Sequence, residues 1–279
     1  MSVRIIVDSG TDLPEQLLQQ VTVLPLTVRF GEIEYADGVD LTPVDFYEKL
    51  SQAEVLPTTS QITPDRFARA FEEVVAAGDT AVVITLSGEL SGTYQSAMIA
   101  AGDFEDKIFV VDSRMVAIGC GVLAAYGLEL SSLGKSAEEI AKELTEIRQD
   151  VCVYAMVDTL EYLKKGGRIS AAVALAGGLL GIKPVVGIHK GEGRVEMFGK
   201  GRGYKQASKI LNDLTLAASP RKDRPILLGF TGANDKNLQK YMEENTEIWG
   251  QTPAYTIIGS AIGTHVGPGS VAVAFFKSK

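Results

Sequence analysis

Apolar runs dense in β-branched residues alternate along the chain with helical patterns that carry one apolar face, and nothing else in the sequence restricts the fold as much. The runs are RIIVDS from Arg4, TAVVITL from Thr80, KIFVVDS from Lys107 and VCVYAMVD from Val151. Strands this apolar along their whole length are covered on both faces, which is the pattern of a largely parallel sheet flanked by helices. The helix starts are well marked. Thr42-Pro43 and Thr63-Pro64 each place an N-cap residue before a proline at the first helical position. After Thr63 the residues Phe67, Ala70, Phe71, Val74 and Val75 fall on one helical face. Further helical patterns run from Ala117 to Leu130 and from Ser136 to Gln149, while TVLPLTVRF and the segment from Glu32 to Tyr35 read as strands.

Near Asp150 the tone changes to glycine-rich connections such as KKGGRIS, AGGLLGIKP and KGEGRVEMFGKGRG. This predicts two α/β domains, residues 1–150 and 151–279, the second with a more mixed sheet. Its strands are expected near Val185 to Ile188, Val195 to Phe198, Ile226 to Phe230, Tyr255 to Ile258 and Val271 to Phe275, with helices around Gln206 to Leu216 and Asn234 to Thr246. A chain of 279 residues buries roughly three quarters of its unfolded surface, so no disulfide is needed. Cys120 and Cys152 lie inside apolar runs and read as small core residues.

The net charge of -8 argues against nonspecific nucleic-acid binding. Charge is not evenly spread: from Lys164 to Lys209 ten Lys or Arg stand against two Glu, a local +8 that leaves -16 on the remainder. Such a window reads either as a basic face for a partner or anionic ligand, or as loops carrying lysine for solubility. No charged-then-apolar leader opens the chain and no apolar run reaches the roughly 18 residues of a bilayer span. A soluble cytoplasmic protein without a stable membrane anchor is expected.

Between the run at Thr80 and the next helix lies TLSGELSGTYQSA, Thr85 to Ala97. Ser91 and Gly92 then stand at the carboxyl end of a strand and the amino end of a helix. There the first N–H groups lack intrahelical partners and the macrodipole favours an anion. Gly92 would let a ligand approach the backbone, and Ser91 offers a hydroxyl and an N–H. Equally, Ser91 reads as a plain N-cap. A second hydroxyl cluster, PTTSQ from Pro57 to Gln61, reads as a loop that could face the first. A third element, GTHVGPG from Gly263, sets His265 among glycines, where it could donate to an anion or move a proton. His189 reads as a surface residue. The small apolar stretches Ala171 to Leu180 and Val116 to Ala125 suit either the wall of a tunnel or close helix packing.

Competing motifs fail on context. Gly199, Gly201 and Gly203 lack the spacing of a dinucleotide fingerprint, and no P-loop is present. Asp8, Asp12, Asp112 and Asp158 close strands without paired His or Cys, so no metal and no cofactor is expected. Ser91 with His265 could form part of an acyl hydrolase, although GELSGTY is not a nucleophile elbow.

Taken together, VDSGTDLP, PTTSQITP, LSGTYQSA, VDS before a helix, LEYLKKGGRIS, GIKPV and THVGPG resemble, in order and over nearly the whole chain, the DegV family of bacterial FakB-like fatty-acid-binding proteins. The resemblance implies two α/β domains with a lipid tunnel between them, holding one long-chain fatty acid such as palmitate. It implies a carrier rather than an enzyme, without catalytic residues of its own. Such a carrier presents the carboxylate to a fatty acid kinase, which makes an acyl phosphate for phospholipid synthesis. By motif, the fatty-acid-binding residues would be Thr59 and Ser60 of TTSQ, Ser91, Gly92 and Thr93 of LSGTY, and His265 of THVGPG. Arg168 of KKGGRIS and Arg202 of GKGRGYK would serve kinase docking and the transferred phosphate.

Overall fold

The computed structural model describes residues 2–170, 181–249 and 253–278. The stretch Ala171 to Leu180, read above as tunnel wall or packing segment, lies outside the described residues. Strand β1 (Val3–Asp8) leads through α1 (Glu15–Leu18) to β2 (Thr22–Leu24), β3 (Thr27–Phe30) and β4 (Ile33–Ala36). Helix α2 (Pro43–Gln52), β5 (Thr58–Ser60), α3 (Pro64–Ala76), β6 (Thr80–Thr85), α4 (Thr93–Ala101), β7 (Ile108–Asp112), α5 (Ile118–Ser132) and α6 (Ala137–Ile147) follow. After a short 3-10 turn the chain enters β8 (Val151–Met156), α7 (Glu161–Lys165), β9 (Ile182–Ile188), β10 (Glu196–Arg202) and α8 (Gly203–Ala218). It ends with β11 (Ile226–Phe230), α9 (Lys236–Glu244), α10 (Thr246–Trp249), β12 (Ala254–Ile257), α11 (Ser260–Val266) and β13 (Val271–Phe276).

The fold is mixed α/β. Strands β2, β1, β6 and β7, in that spatial order, form a wholly parallel sheet. Strands β10, β9, β8, β13, β11 and β12 form a second sheet, antiparallel except for the β11–β12 pair. The expected mixed character of the second half is therefore present. A third, small antiparallel sheet, β4-β3-β5, was not anticipated. It takes Thr58, Thr59 and Ser60, expected in a loop, and pairs them as a strand with Arg29, Val28 and Thr27. The reason is local: β3 already pairs with β4 on one side and leaves its other edge free, and β-branched threonines suit the extended backbone that fills it.

The helix ends follow the sequence. Thr42 Oγ1 accepts the Asp45 N–H at 3.2 Å, and Ser136 with Glu139 forms a reciprocal capping box at the start of α6. Helix α3 buries Phe67, Phe71 and Val74. Helix α5 is different in kind, because it is apolar all round and buried along most of its length. It is clamped between the two large sheets. A Cβ at Gly119 would lie 3.1 Å from Val153 of β8, and one at Gly121 would lie 2.9 Å from Leu227 of β11 and 2.4 Å from the Asp12 carbonyl. Further along the helix, Gly127 faces Ile84 of β6 and Ile5 of β1. The small residues from Val116 to Ala125 are thus explained mainly by close packing. Cys120 and Cys152 are buried free thiols.

Candidate functional site

The loop between β6 and α4 is folded tightly by its own polar groups. Leu86 N–H donates to the buried Asp8 carboxylate at 2.7 Å, and Ser87 N–H donates to Met115 O at 2.8 Å. The Leu90 and Ser91 N–H groups both turn back to Ser87 O, so the Ser91 amide is already engaged. Ser91 Oγ stands 2.9 Å from Thr93 Oγ1 and accepts the Thr93 N–H at 3.3 Å. Ser91 thus stands one residue before the Gly92 N-cap, its hydroxyl turned to the first residue of α4 as well as to the space beside it.

That space is a cavity of about 340 Å³ between the small sheet, the β6–α4 loop and α11. Its wall is largely apolar: Leu26, Leu86, Leu90, Val116, Leu163, Val195, Ala261, Ile262 and Val266. Its polar groups come from Thr59, Ser60, Gln61, Ser91, Arg168 and His265. A volume of this order with an apolar lining and a few convergent polar groups is the usual form of a small-molecule site. Three of the polar residues, Thr59, Arg168 and His265, also line an open groove of about 770 Å³ that runs between Ala53 to Thr58 and the α7 turn. They form a partition between the cavity and the groove.

Geometry at the partition is specific. Thr59 Oγ1 on β5 lies 2.9 Å from His265 Nε2 at the end of α11. His265 Nδ1 has no hydrogen-bond partner among the described residues. Burial, aided by the charge of Arg168, lowers the His265 pKa to about 4, so the ring is neutral at physiological pH. Glycine is required where the KKGG turn passes the ring, since a Cβ at Gly166 would fall 2.1 Å from His265 Nδ1. Arg168 reaches across from that turn, its Nε donating to Leu90 O at 3.2 Å. It thereby ties α7 to the β6–α4 loop.

Comparison with known proteins decides the family. The family model described as "Uncharacterised protein, DegV family" matches residues 2–278. The chain belongs to the DegV family. A DegV domain-containing protein of Clostridium perfringens is 34% identical over 97% of this chain and 96% of its own. A DegV family protein from Thermus thermophilus, whose structure is described as fatty acid binding, is 33% identical with a TM-score of 0.87 over 100% of both chains. DegV from Bacillus subtilis, described as a fatty acid binding protein, is 32% identical with a TM-score of 0.84, again over 100% of both chains.

Of the residues that the DegV motifs single out, Thr59, Ser60, Ser91, Gly92, Arg168 and His265 line one cavity. Thr93 stands behind Ser91, buried and hydrogen-bonded to it, and does not line the cavity. Arg202 is not brought there either. It ends β10 opposite Ile182, is exposed, and gives its backbone N–H to the Gln206 side chain. No hydrogen bond joins Ser91 to His265 among the described residues: the histidine faces Thr59, the serine faces Thr93, and no carboxylate orients Nδ1. The arrangement of nucleophile, base and orienting acid that a serine hydrolase needs is not assembled. No group of three or more His, Cys, Asp or Glu among the described residues is placed to hold a metal ion.

Gln61, the last residue of the TTSQ motif, carries no mark in the sequence of the part it plays here. Its Nε2 donates to Ser96 Oγ at 2.9 Å, and its Oε1 occupies the space over Gly92, where a Cβ would come within 2.0 Å. Gly92 is thus first of all a seat for the Gln61 amide. The basic window is also more balanced in space than along the chain. Lys165, Lys183, Arg194 and Lys209 pair with Glu161, Asp158, Glu89 and Asp213, all outside the window. No helix among the described residues is long and apolar enough to cross a membrane.

Proposed function

We propose that this protein is a fatty acid carrier that holds one long-chain acid with its carboxylate at Thr59 and Ser91 and presents it to a fatty acid kinase in the cytoplasm. What carries this reading is the partition of Thr59, Arg168 and His265, which belongs at once to an apolar chamber and to an open groove. An acid whose tail fills the chamber would offer its headgroup to the groove, where a partner could reach it. Fatty acid binding by the Thermus thermophilus and Bacillus subtilis relatives supports the choice of ligand.

The division of labour follows from magnitudes. A tail of about 16 carbons contributes on the order of 10 kcal/mol at about 0.8 kcal/mol per methylene, whereas each hydroxyl contact to the carboxylate is worth about 1.5 to 3 kcal/mol. The tail therefore sets affinity and the headgroup contacts set position. The neutral His265 fits the headgroup role: if Nε2–H donates to Thr59 Oγ1, the threonine proton is free to donate to the carboxylate, and Nδ1 is left as a bare acceptor. In the transfer itself, a carboxylate oxygen attacks the γ-phosphorus of ATP and ADP leaves, giving an acyl phosphate. The nucleotide and its metal belong to the kinase. Arg168, at the partition, would steady negative charge on the transferred group, and Arg202 and the neighbouring lysines would contribute to docking.

The test is reconstitution. The protein loaded with labelled hexadecanoate is mixed with a fatty acid kinase and ATP, and acyl phosphate is trapped with hydroxylamine. Hydroxamate is expected only with both proteins present, and Arg168→Ala is expected to slow its formation. Hydroxamate formed by the kinase alone at the same rate refutes the carrier role.

A further inference from the structure

Behind the cavity wall lies a set of buried carboxylates that no part of the binding argument uses: Asp8, Asp12 and Asp37. Asp37 follows β4 and is 3% exposed. Its Oδ1 accepts the Ser260 N–H at 3.1 Å, and its Oδ2 accepts the Ala261 N–H at 3.2 Å and the Ser9 hydroxyl at 2.8 Å. Ser9 Oγ in turn accepts the Leu26 N–H at 3.0 Å, and the Asp37 N–H donates to Leu26 O at 2.9 Å. Alongside, Asp12 Oδ1 accepts the Gly259 N–H at 2.7 Å.

These contacts converge on the cavity from behind. Leu26, Ala261, Ile262 and His265 all line it, and Ala261 and His265 lie one helical turn apart on α11. Helix α11 has only seven residues, too few to hold itself without external contacts. Its first N–H groups have no partners within the helix, and the Asp37 carboxylate supplies acceptors for two of them. One buried carboxylate thus sets the tilt of the helix that carries the histidine and, through Ser9, the position of the opposite wall at Leu26.

We infer that Asp37 is a positioning residue for the headgroup end of the cavity, acting through α11 and Ser9 on His265 and Leu26 without touching a ligand. The identity of the ligand rests on the fatty acid reading above; the placement of His265 does not. The protein has two histidines, so ring resonances are assignable with His189→Gln as a control.

The experiment compares wild type, Asp37→Asn and Ser9→Ala as full chains, each first without ligand. In Asp37→Asn an amide NH2 faces one of the helix N–H donors. In Ser9→Ala the carboxylate stays and only the hydroxyl bridge from Asp37 to the Leu26 N–H is cut. Histidine ring NMR is expected to show the His265 resonances displaced in Asp37→Asn, with its titration midpoint moved up toward ordinary histidine. Hexadecanoate affinity is expected to fall about tenfold in Asp37→Asn. Ser9→Ala is expected to weaken it by a smaller factor, and hexadecanol binding is expected to change less than hexadecanoate binding in both. A folded Asp37→Asn with unchanged His265 resonances, or folded variants with hexadecanoate affinity equal to wild type, overturn the inference. If Asp37→Asn does not fold, Ser9→Ala decides by the same affinity comparison. If wild type itself fails to bind hexadecanoate, the fatty acid reading falls, while the ring resonances still judge the positioning role.

Discussion

Replacing Thr59 by valine keeps the shape of the side chain and removes one oxygen. That oxygen lies 2.9 Å from His265 Nε2, and Thr59 lines both the chamber and the groove. A hydrogen bond to a charged acceptor is worth about 1.5 to 3 kcal/mol. Each 1.4 kcal/mol is about tenfold in affinity, so Thr59→Val should raise the hexadecanoate Kd about ten- to a hundredfold. The protein itself should lose stability too. His265 Nδ1 already lacks a partner among the described residues, so the variant leaves both nitrogens of a partly buried ring without one there, at a cost of about 1 to 3 kcal/mol.

The assay is competition binding by isothermal calorimetry with two ligands of equal tail, hexadecanoate and hexadecan-1-ol, alongside urea denaturation. Tail burial is common to both ligands, so the ratio of their Kd values isolates the headgroup. Wild type should favour the acid, and Thr59→Val should erase most of that preference. Equal loss for acid and alcohol would mean that Thr59 shapes the wall and does not read the carboxylate. An unchanged hexadecanoate Kd would refute the headgroup assignment outright.

Two further predictions concern the scaffold. Gly121→Ala places a methyl group 2.4 Å from the Asp12 carbonyl and 2.9 Å from Leu227, so it should destabilise the fold by about 1 to 3 kcal/mol in urea unfolding; wild-type stability would show that α5 is not clamped. The second concerns pH. Burial pushes the Asp12 carboxyl up to about 8 and Asp8 to about 7 from 3.8, so the native state binds protons that the unfolded chain has released. Their contribution is fully present below about pH 4 and is lost as pH rises through about 7 to 8. His265 works oppositely, since a pKa of about 4 against 6.5 makes stability fall as pH drops from 6.5 toward 4. Above pH 7 the aspartates dominate, so Asp12→Asn should flatten the decline of stability between pH 7 and 8.5; an unaltered slope contradicts the buried-acid assignment.

How far the structure could be read in advance differs by element. The strands at Arg4, Thr80, Lys107 and Val151 and the helices opened by Thr42-Pro43 and Ser136 were legible, because burial on both faces and capping leave local marks in sequence. The β5 strand was not, since its three residues are extended only because an edge of β3 is available to them. Helix α5 was legible as a helix, but its place between two sheets is a tertiary fact that an all-apolar pattern only permits. At the cavity the hydroxyls and His265 stood out as clusters among glycines. Leu26, Leu90 and Val195 did not, because a single apolar residue in a short loop has no periodicity to mark it. Gln61 was hidden by its neighbours, and its role emerges only from the missing Cβ of Gly92. Arg202 shows the converse case: motif position groups it with the cavity residues, but β10 carries it to the edge of the second sheet, away from the cavity.

A carrier of this kind holds an acid in the chamber behind Thr59 and Ser91. Gentle purification from cells, followed by native mass spectrometry and lipid extraction, tests this most directly. It should find one long-chain fatty acid per protein chain, with occupancy reduced in Thr59→Val. Protein that carries no acyl ligand and takes none up from added fatty acid would contradict it.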